Sequence, residues 1–114
     1  KDPLMNLPFS KTRRVGSTLY LSGEIGFDAE GTVPAGIEAQ TRNIFERLKA
    51  TLDAEGMSLA NVVSATCYLT DTSDFAEFNR VYAEYFSDPL PVRTTVQSGL
   101  MIDAKVEITV IAEA

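Results

Sequence analysis

Several separate stretches of this chain alternate apolar and hydroxyl-bearing residues at every second position. Successive side chains of a β-strand point to opposite faces, so such alternation prescribes a sheet with two unlike faces. One set comprises Leu19, Leu21, Val63, Ala65, Cys67, Leu69, Val96, Val106, Ile108 and Val110, a face that other elements must cover. The other comprises Thr18, Tyr20, Ser22, Ser64, Thr66, Tyr68, Arg93, Thr95, Glu107 and Thr109. Apart from Arg93 and Glu107, this second face lacks the lysines and glutamates usual on a solvated sheet. It is therefore expected to meet other subunits, with the charged pair at or near the junction.

Between these stretches lie two helical patterns. Ile37, Ile44, Phe45, Leu48 and Leu52 recur at helical spacing between Gly36 and Glu55, and Gly56 follows as a C-terminal stop. Phe75, Phe78, Tyr82, Tyr85 and Phe86 trace one face of a second helix, capped from Asp71 to Asp74 and ending before Pro89. Strands are predicted over 11–15 and 18–22, joined by a Gly16-Ser17 hairpin turn, and over 62–70, 93–98 and 106–112. Asp28-Ala29-Glu30-Gly31 marks a turn within a loop running to Pro34. The order β-β-α-β-α-β-β gives an α+β fold, a mixed sheet covered on one face by two helices, with residues 1–114 as a single domain.

Composition narrows the chemistry. There is no histidine, which removes the usual general base, the usual zinc ligand and every Ser-His or Cys-His nucleophile pair. The other carboxylates are too scattered to suggest a metal site, and no cofactor is called for. Sixteen acidic residues against ten basic ones give a net charge of −6, which disfavours nucleic acid as a partner. The single cysteine, Cys67, cannot close an intrachain disulfide and falls in an apolar strand pattern, so a reducing cytoplasm fits best. No secretory leader or membrane span is read in the chain. It begins at Lys1-Asp2-Pro3 rather than at methionine, which reads as a missing or replaced native start.

Arg93 follows Pro91-Val92 at the start of a strand, where a guanidinium offers a rigid fork for two parallel hydrogen bonds to a carboxylate. A small organic acid is the implied ligand. Taken alone, Arg93 also reads as a surface arginine paired with a nearby acid, and Glu107 as a solvent-facing strand residue. Ser22 and Thr95 have no base to activate them, so they suit lining a site rather than reacting. Asn79 could equally cap or bridge backbone groups, and Phe9 could pack on the core or wall a cleft. The aromatic residues of the second helix read as core.

Pro8-Phe9-Ser10-Lys11, Leu19-Tyr20-Leu21-Ser22-Gly23-Glu24-Ile25-Gly26, Gln40-Thr41, Tyr68-Leu69-Thr70-Asp71, Phe75-Ala76-Glu77-Phe78-Asn79, Tyr82-Ala83-Glu84-Tyr85-Phe86 and Pro91-Val92-Arg93-Thr94-Thr95-Val96 occur in this order. Together they resemble the YjgF/RidA family of reactive-intermediate deaminases over nearly the whole chain. The resemblance implies a chorismate-mutase-like fold assembled as a homotrimer, with ligand sites in the clefts between subunits. It also implies hydrolysis of 2-aminoacrylate and related 2-imino acids to 2-keto acids and ammonia. By the same resemblance Arg93 grips the substrate carboxylate and Glu107 holds the attacking water. Ser22, Gly23 and Asn79 line the cleft, and Thr95 stands where many members have cysteine. Phe9 stands where the best-known members carry tyrosine, so a hydroxyl is missing there.

On this reading Arg93 orients the imino acid, and Glu107, kept ionised by a nearby guanidinium, accepts a proton from water. Two other functions compete. The cleft could bind keto acids or other carboxylate metabolites without turnover, or, as recorded for some relatives, the chain could be an endoribonuclease or translation inhibitor. The acidic balance and missing histidine weigh against the latter.

Overall fold

The structure, a computed structural model, describes residues 6–114. Strands β1 (Thr12–Val15) and β2 (Thr18–Leu21) form the predicted hairpin, with Val15 opposite Thr18 across the Gly16-Ser17 turn. A short strand β3 (Glu24–Ile25) follows, then helix α1 (Ile37–Ala54), β4 (Val62–Leu69), α2 (Phe75–Tyr82), β5 (Val92–Gln97) and β6 (Val106–Glu113). The sheet runs β1-β2-β6-β4-β5, with β3 also paired to β6. β5 lies parallel to β4 while β6 is antiparallel to it, so the sheet is mixed, as the order of elements predicted.

Helix α1 buries Ile37, Gln40, Thr41, Ile44, Phe45, Leu48 and Leu52, a stripe recurring every three or four residues. It stops at Gly56, whose φ of 74° is left-handed backbone that costs a residue with a Cβ energy. The Gly56 and Met57 amides donate to the Asp53 and Leu52 carbonyls, closing the last turn. Across the core, Phe45 stacks on Tyr85 at 4.5 Å and meets Tyr82 and Phe86 edge-on. Leu19, Ala65, Cys67, Ile108 and Val110 are buried beneath this layer.

Four expectations require correction. Helix α2 ends at Tyr82, although Tyr85 and Phe86 still pack on the core from the following turn. Asp71 caps a one-turn 3-10 segment (Thr72–Asp74) ahead of α2 rather than α2 itself, accepting from the Ser73 amide at 2.9 Å. Val63, placed on the covered face by strict alternation, is 48% exposed, because a β-bulge between Val62 and Ser64 turns Val62 inward in its place.

The fourth correction bears on function. Val96 is exposed, whereas Arg93 and Thr95 point to the helix side, directly opposite buried Ala65 and Cys67 of β4. Within β5 the valines at 92 and 96 share one face and Arg93 and Thr95 the other. Apolar burial would turn the valines inward, but the parallel register with β4 turns them outward. The uncovered face consequently presents Val63, Val92 and Val96 beside Tyr20 and the hydroxyl residues, and is more apolar than expected.

Candidate functional site

The residues expected to form one site divide into two groups on opposite faces of the sheet. On the helix side, the Arg93 guanidinium lies over three rings of α2 and its N-terminal end, 4.7 Å from the Tyr82 centroid, 5.6 Å from Phe78 and 5.8 Å from Phe75. Among the described residues no carboxylate pairs with it. Arg14, Arg42, Arg47 and Arg80, by contrast, each hold a glutamate. A partly buried guanidinium left unpaired in so acidic a chain is suited to receive an anion from outside.

Its surroundings carry further unused hydrogen-bonding capacity. Tyr82 Oη, Asn79 Oδ1 and Thr95 Oγ1 are buried without a hydrogen-bond partner, apart from the Cys67 thiol alongside Thr95. Buried polar groups left unpaired are costly, and a ligand with donors and acceptors would relieve that cost. Beside this group is a cavity of about 200 Å³ lined by Leu69, Thr72, Phe75, Thr95, Val96 and Gln97. Burial pushes the Cys67 thiol up to about 11, offset in part by Arg93 and Thr95, so the sulfur is a protonated packing group.

On the opposite face, Glu107, Ser22, Gly23 and Phe9 come together with Leu7, Ile25, Met101 and Ile102 around a cavity of about 370 Å³. Ser22 is held from both ends, its Oγ donating to the Ser10 carbonyl at 2.6 Å and its amide to the Lys11 carbonyl at 3.0 Å. Gly23 is dictated by Glu107. A Cβ there would overlap Glu107 Oε2 and lie 2.9 Å from its Cδ and 3.1 Å from Thr109 Oγ1, so only glycine lets the carboxylate rest against the backbone.

Burial, and secondarily the Glu24 carboxylate, hold the Glu107 carboxyl above its ordinary range. The expected guanidinium influence on Glu107 is absent within the chain: Arg93 is two strands away and faces the other side of the sheet. Glu24 itself is buried and receives Arg47 Nε at 2.6 Å, a pair that ties β3 to α1.

A Gly23→Ala variant therefore displaces a flexible carboxylate rather than rigid backbone. If the cleft carries out the hydrolysis that the family resemblance implies, we expect a loss of about tenfold or more in catalytic efficiency with a melting temperature within a few degrees of wild type, since a misplacement of ~1 Å can cost ~100-fold. Steady-state kinetics beside a thermal melt checks this, and unchanged kinetics would remove Gly23 and Glu107 from the site.

The structure thus brings together Arg93 and Thr95, with Asn79 one helical turn from Tyr82, and separately Glu107, Ser22, Gly23 and Phe9. It does not join the two sets in one chain. Tyr82, read as core from the sequence, belongs to the first set. The signal that could have found it is the polar tip on a position otherwise suited to phenylalanine. Among the described residues no cluster of three or more acidic, cysteine or histidine side chains could hold a metal ion. No helix among them is long and apolar enough to cross a membrane.

Residues 1–114 match the family model described as endoribonuclease L-PSP. A RutC family protein of Saccharolobus solfataricus is 45% identical over 109 residues, covering 93% of this chain and 86% of the relative. The mouse 2-iminobutanoate/2-iminopropanoate deaminase is 35% identical over 115 residues, covering 98% and 85%. The crystal structure of RidA from an Antarctic Psychrobacter superposes with a TM-score of 0.93 at 40% identity, covering 100% of this chain and 94% of that one.

Proposed function

Because the chain belongs to the endoribonuclease L-PSP family, also called YjgF/RidA, we propose that it hydrolyses 2-aminoacrylate and related 2-imino acids to 2-keto acids and ammonia. The observation that carries this reading is the unpaired Arg93 guanidinium on its three rings. Such a receptor suits the carboxylate common to all these substrates, and the mouse relative bearing a deaminase name agrees with it.

The reaction asks little of the protein. Once the nitrogen is protonated, C2 of an imino acid is electrophilic, and water needs only to be held near it. Arg93 fixes the carboxylate and thereby orients C2. Glu107 hydrogen-bonds the water and accepts its proton as the oxygen bonds to C2. Glu107 then passes that proton to nitrogen, and as the C–N bond breaks the hydroxyl gives its own proton back to Glu107 while its oxygen forms the C=O, so that ammonia leaves from a 2-keto acid.

Since Arg93 and Glu107 lie on opposite faces of one sheet, both can act on one substrate only if two copies of the chain supply them. We assign the uncovered face, with Val63, Val92, Val96 and Tyr20 exposed, to contacts within a homotrimer whose clefts join the Arg93 group of one subunit to the Glu107 group of the next. The net charge of −6 weighs against RNA as the ligand.

The test is to generate 2-aminoacrylate freshly and follow pyruvate release with and without the protein, alongside calorimetry with 2-ketobutyrate. The proposal predicts accelerated release and keto-acid binding. Binding without acceleration would replace it with a non-catalytic receptor, a possibility sharpened by the missing hydroxyl at Phe9.

A further inference from the structure

The geometry points to Tyr82 as a positioning residue for this reaction: its ring seats the Arg93 guanidinium by the face and leaves the edge of the fork open for the substrate carboxylate. This rests on the deaminase reading of Arg93 and adds to it a residue drawn from the helix core.

An arginine that must wait for a ligand needs something to hold it in place. A neighbouring carboxylate would do so by taking the in-plane N–H donors, the same donors that the substrate requires. An aromatic face holds the cation differently, through its quadrupole, and leaves those donors unused. Tyr82 provides such a face at 4.7 Å, nearer than Phe78 at 5.6 Å or Phe75 at 5.8 Å. Phe75, Phe78 and Tyr82 are spaced so that all three project from one side of α2.

Tyr82 is itself fixed. It is 8% exposed, meets Phe45 edge-on at 5.6 Å and packs against Phe86 at 4.9 Å. Its seat for Arg93 is therefore part of the folded core rather than a mobile surface contact. Its hydroxyl has no hydrogen-bond partner, and burial pushes that group up to about 12. At working pH it stays a neutral phenol. A phenolate would pair with Arg93 and close the fork, and so would a Cys67 thiolate, which burial likewise prevents.

The test compares Tyr82→Leu, Tyr82→Phe, Phe75→Leu and Arg93→Ala in steady-state deamination of freshly generated 2-iminobutanoate, with circular dichroism as the check on folding. Removing the ring in Tyr82→Leu should raise KM about tenfold with kcat within about threefold, the signature of lost carboxylate binding. Tyr82→Phe keeps the ring that seats Arg93 and loses only the unpaired hydroxyl, so its KM should rise clearly less than that of Tyr82→Leu. Phe75 is 44% exposed, so Phe75→Leu disturbs the fold less and should raise KM about threefold.

A wild-type KM in folded Tyr82→Leu, or a loss in Tyr82→Phe equal to that in Tyr82→Leu, would overturn the proposal. If Tyr82→Leu does not fold, an unchanged KM in Phe75→Leu overturns it. Arg93→Ala separates the two levels. Impairment there with wild-type behaviour in the ring variants sinks the seat alone, wild-type kinetics in Arg93→Ala sinks the role of Arg93 and the seat with it, and no acceleration by the wild-type protein sinks the deaminase reading itself.

Discussion

Replacing Arg93 with alanine is expected to reduce the catalytic efficiency of imino-acid hydrolysis by a hundredfold or more and to abolish measurable 2-ketobutyrate binding. A charge-assisted hydrogen bond contributes about 1.5–3 kcal/mol, and a guanidinium can make two of them to one carboxylate, so loss of the pair costs about 3 kcal/mol or more. Each ~1.4 kcal/mol is tenfold. Lysine restores the charge but offers a point donor in place of a planar fork, and it stacks less well on the rings beneath Arg93. Arg93→Lys should therefore recover only a small part of the activity. Because no carboxylate in the described chain depends on Arg93, neither change should unfold the protein. Near-normal turnover by both variants would remove Arg93 from the mechanism.

The second large effect is expected at Glu107. Glutamine keeps the size and one hydrogen-bonding oxygen but cannot take a proton, so kcat should fall about a hundredfold, the scale of a lost general base, with KM little changed. The wild-type rate should rise with pH along a limb set by the Glu107 carboxyl, which burial and then Glu24 push up within the subunit and the neighbour's Arg93 pulls down in the assembled cleft. That limb should vanish in Glu107→Gln.

Stability should move in the opposite sense. A carboxyl raised in the folded state binds its proton more tightly there than in the unfolded chain. Its contribution favours folding at pH below the unfolded value and is lost as pH rises through the folded one. In an Arg93→Ala background, where no neighbouring guanidinium offsets the burial, Glu107→Gln should thus melt higher than the Arg93→Ala parent at pH 7, with the difference shrinking at pH 4. A double variant less stable than that parent at neutral pH would contradict this account of the site.

Much of the architecture was legible in the residues. The apolar spacing of α1, its stop at Gly56, the Gly16-Ser17 hairpin and the inward set of β2 and β6 follow from local periodicity and turn chemistry, and all are found. Where the reading failed, the deciding interaction was not local. Val63 faces outward because a bulge inserts one residue into the pairing of β4 with β6. Arg93 and Thr95 face the helices because of the register of β5 on β4, and the cost of burying part of a guanidinium is offset by rings contributed from α2 and its start. Strand β3 is only two residues long, too short to show a period.

The same limit applies to the candidate site. Arg93, Glu107, Ser22, Gly23, Thr95, Asn79 and Phe9 could each be picked out by residue type and resemblance, but alternation put Arg93 and Glu107 on one face. Their separation onto two faces, and the part played by Tyr82, appear only when strands and helices are packed. That separation turns a question about two side chains into one about two subunits.

Mixing subunits tests this most directly. Arg93→Ala and Glu107→Gln chains, each inactive in its own assembly, would be co-refolded in equal amounts and assayed for 2-iminobutanoate hydrolysis. If each cleft takes Arg93 from one copy and Glu107 from its neighbour, random mixing leaves roughly a quarter of the clefts with both residues intact, and that share of wild-type activity should return. If the mixture forms mixed assemblies yet stays as inactive as its components, the two residues do not serve one cleft from different subunits.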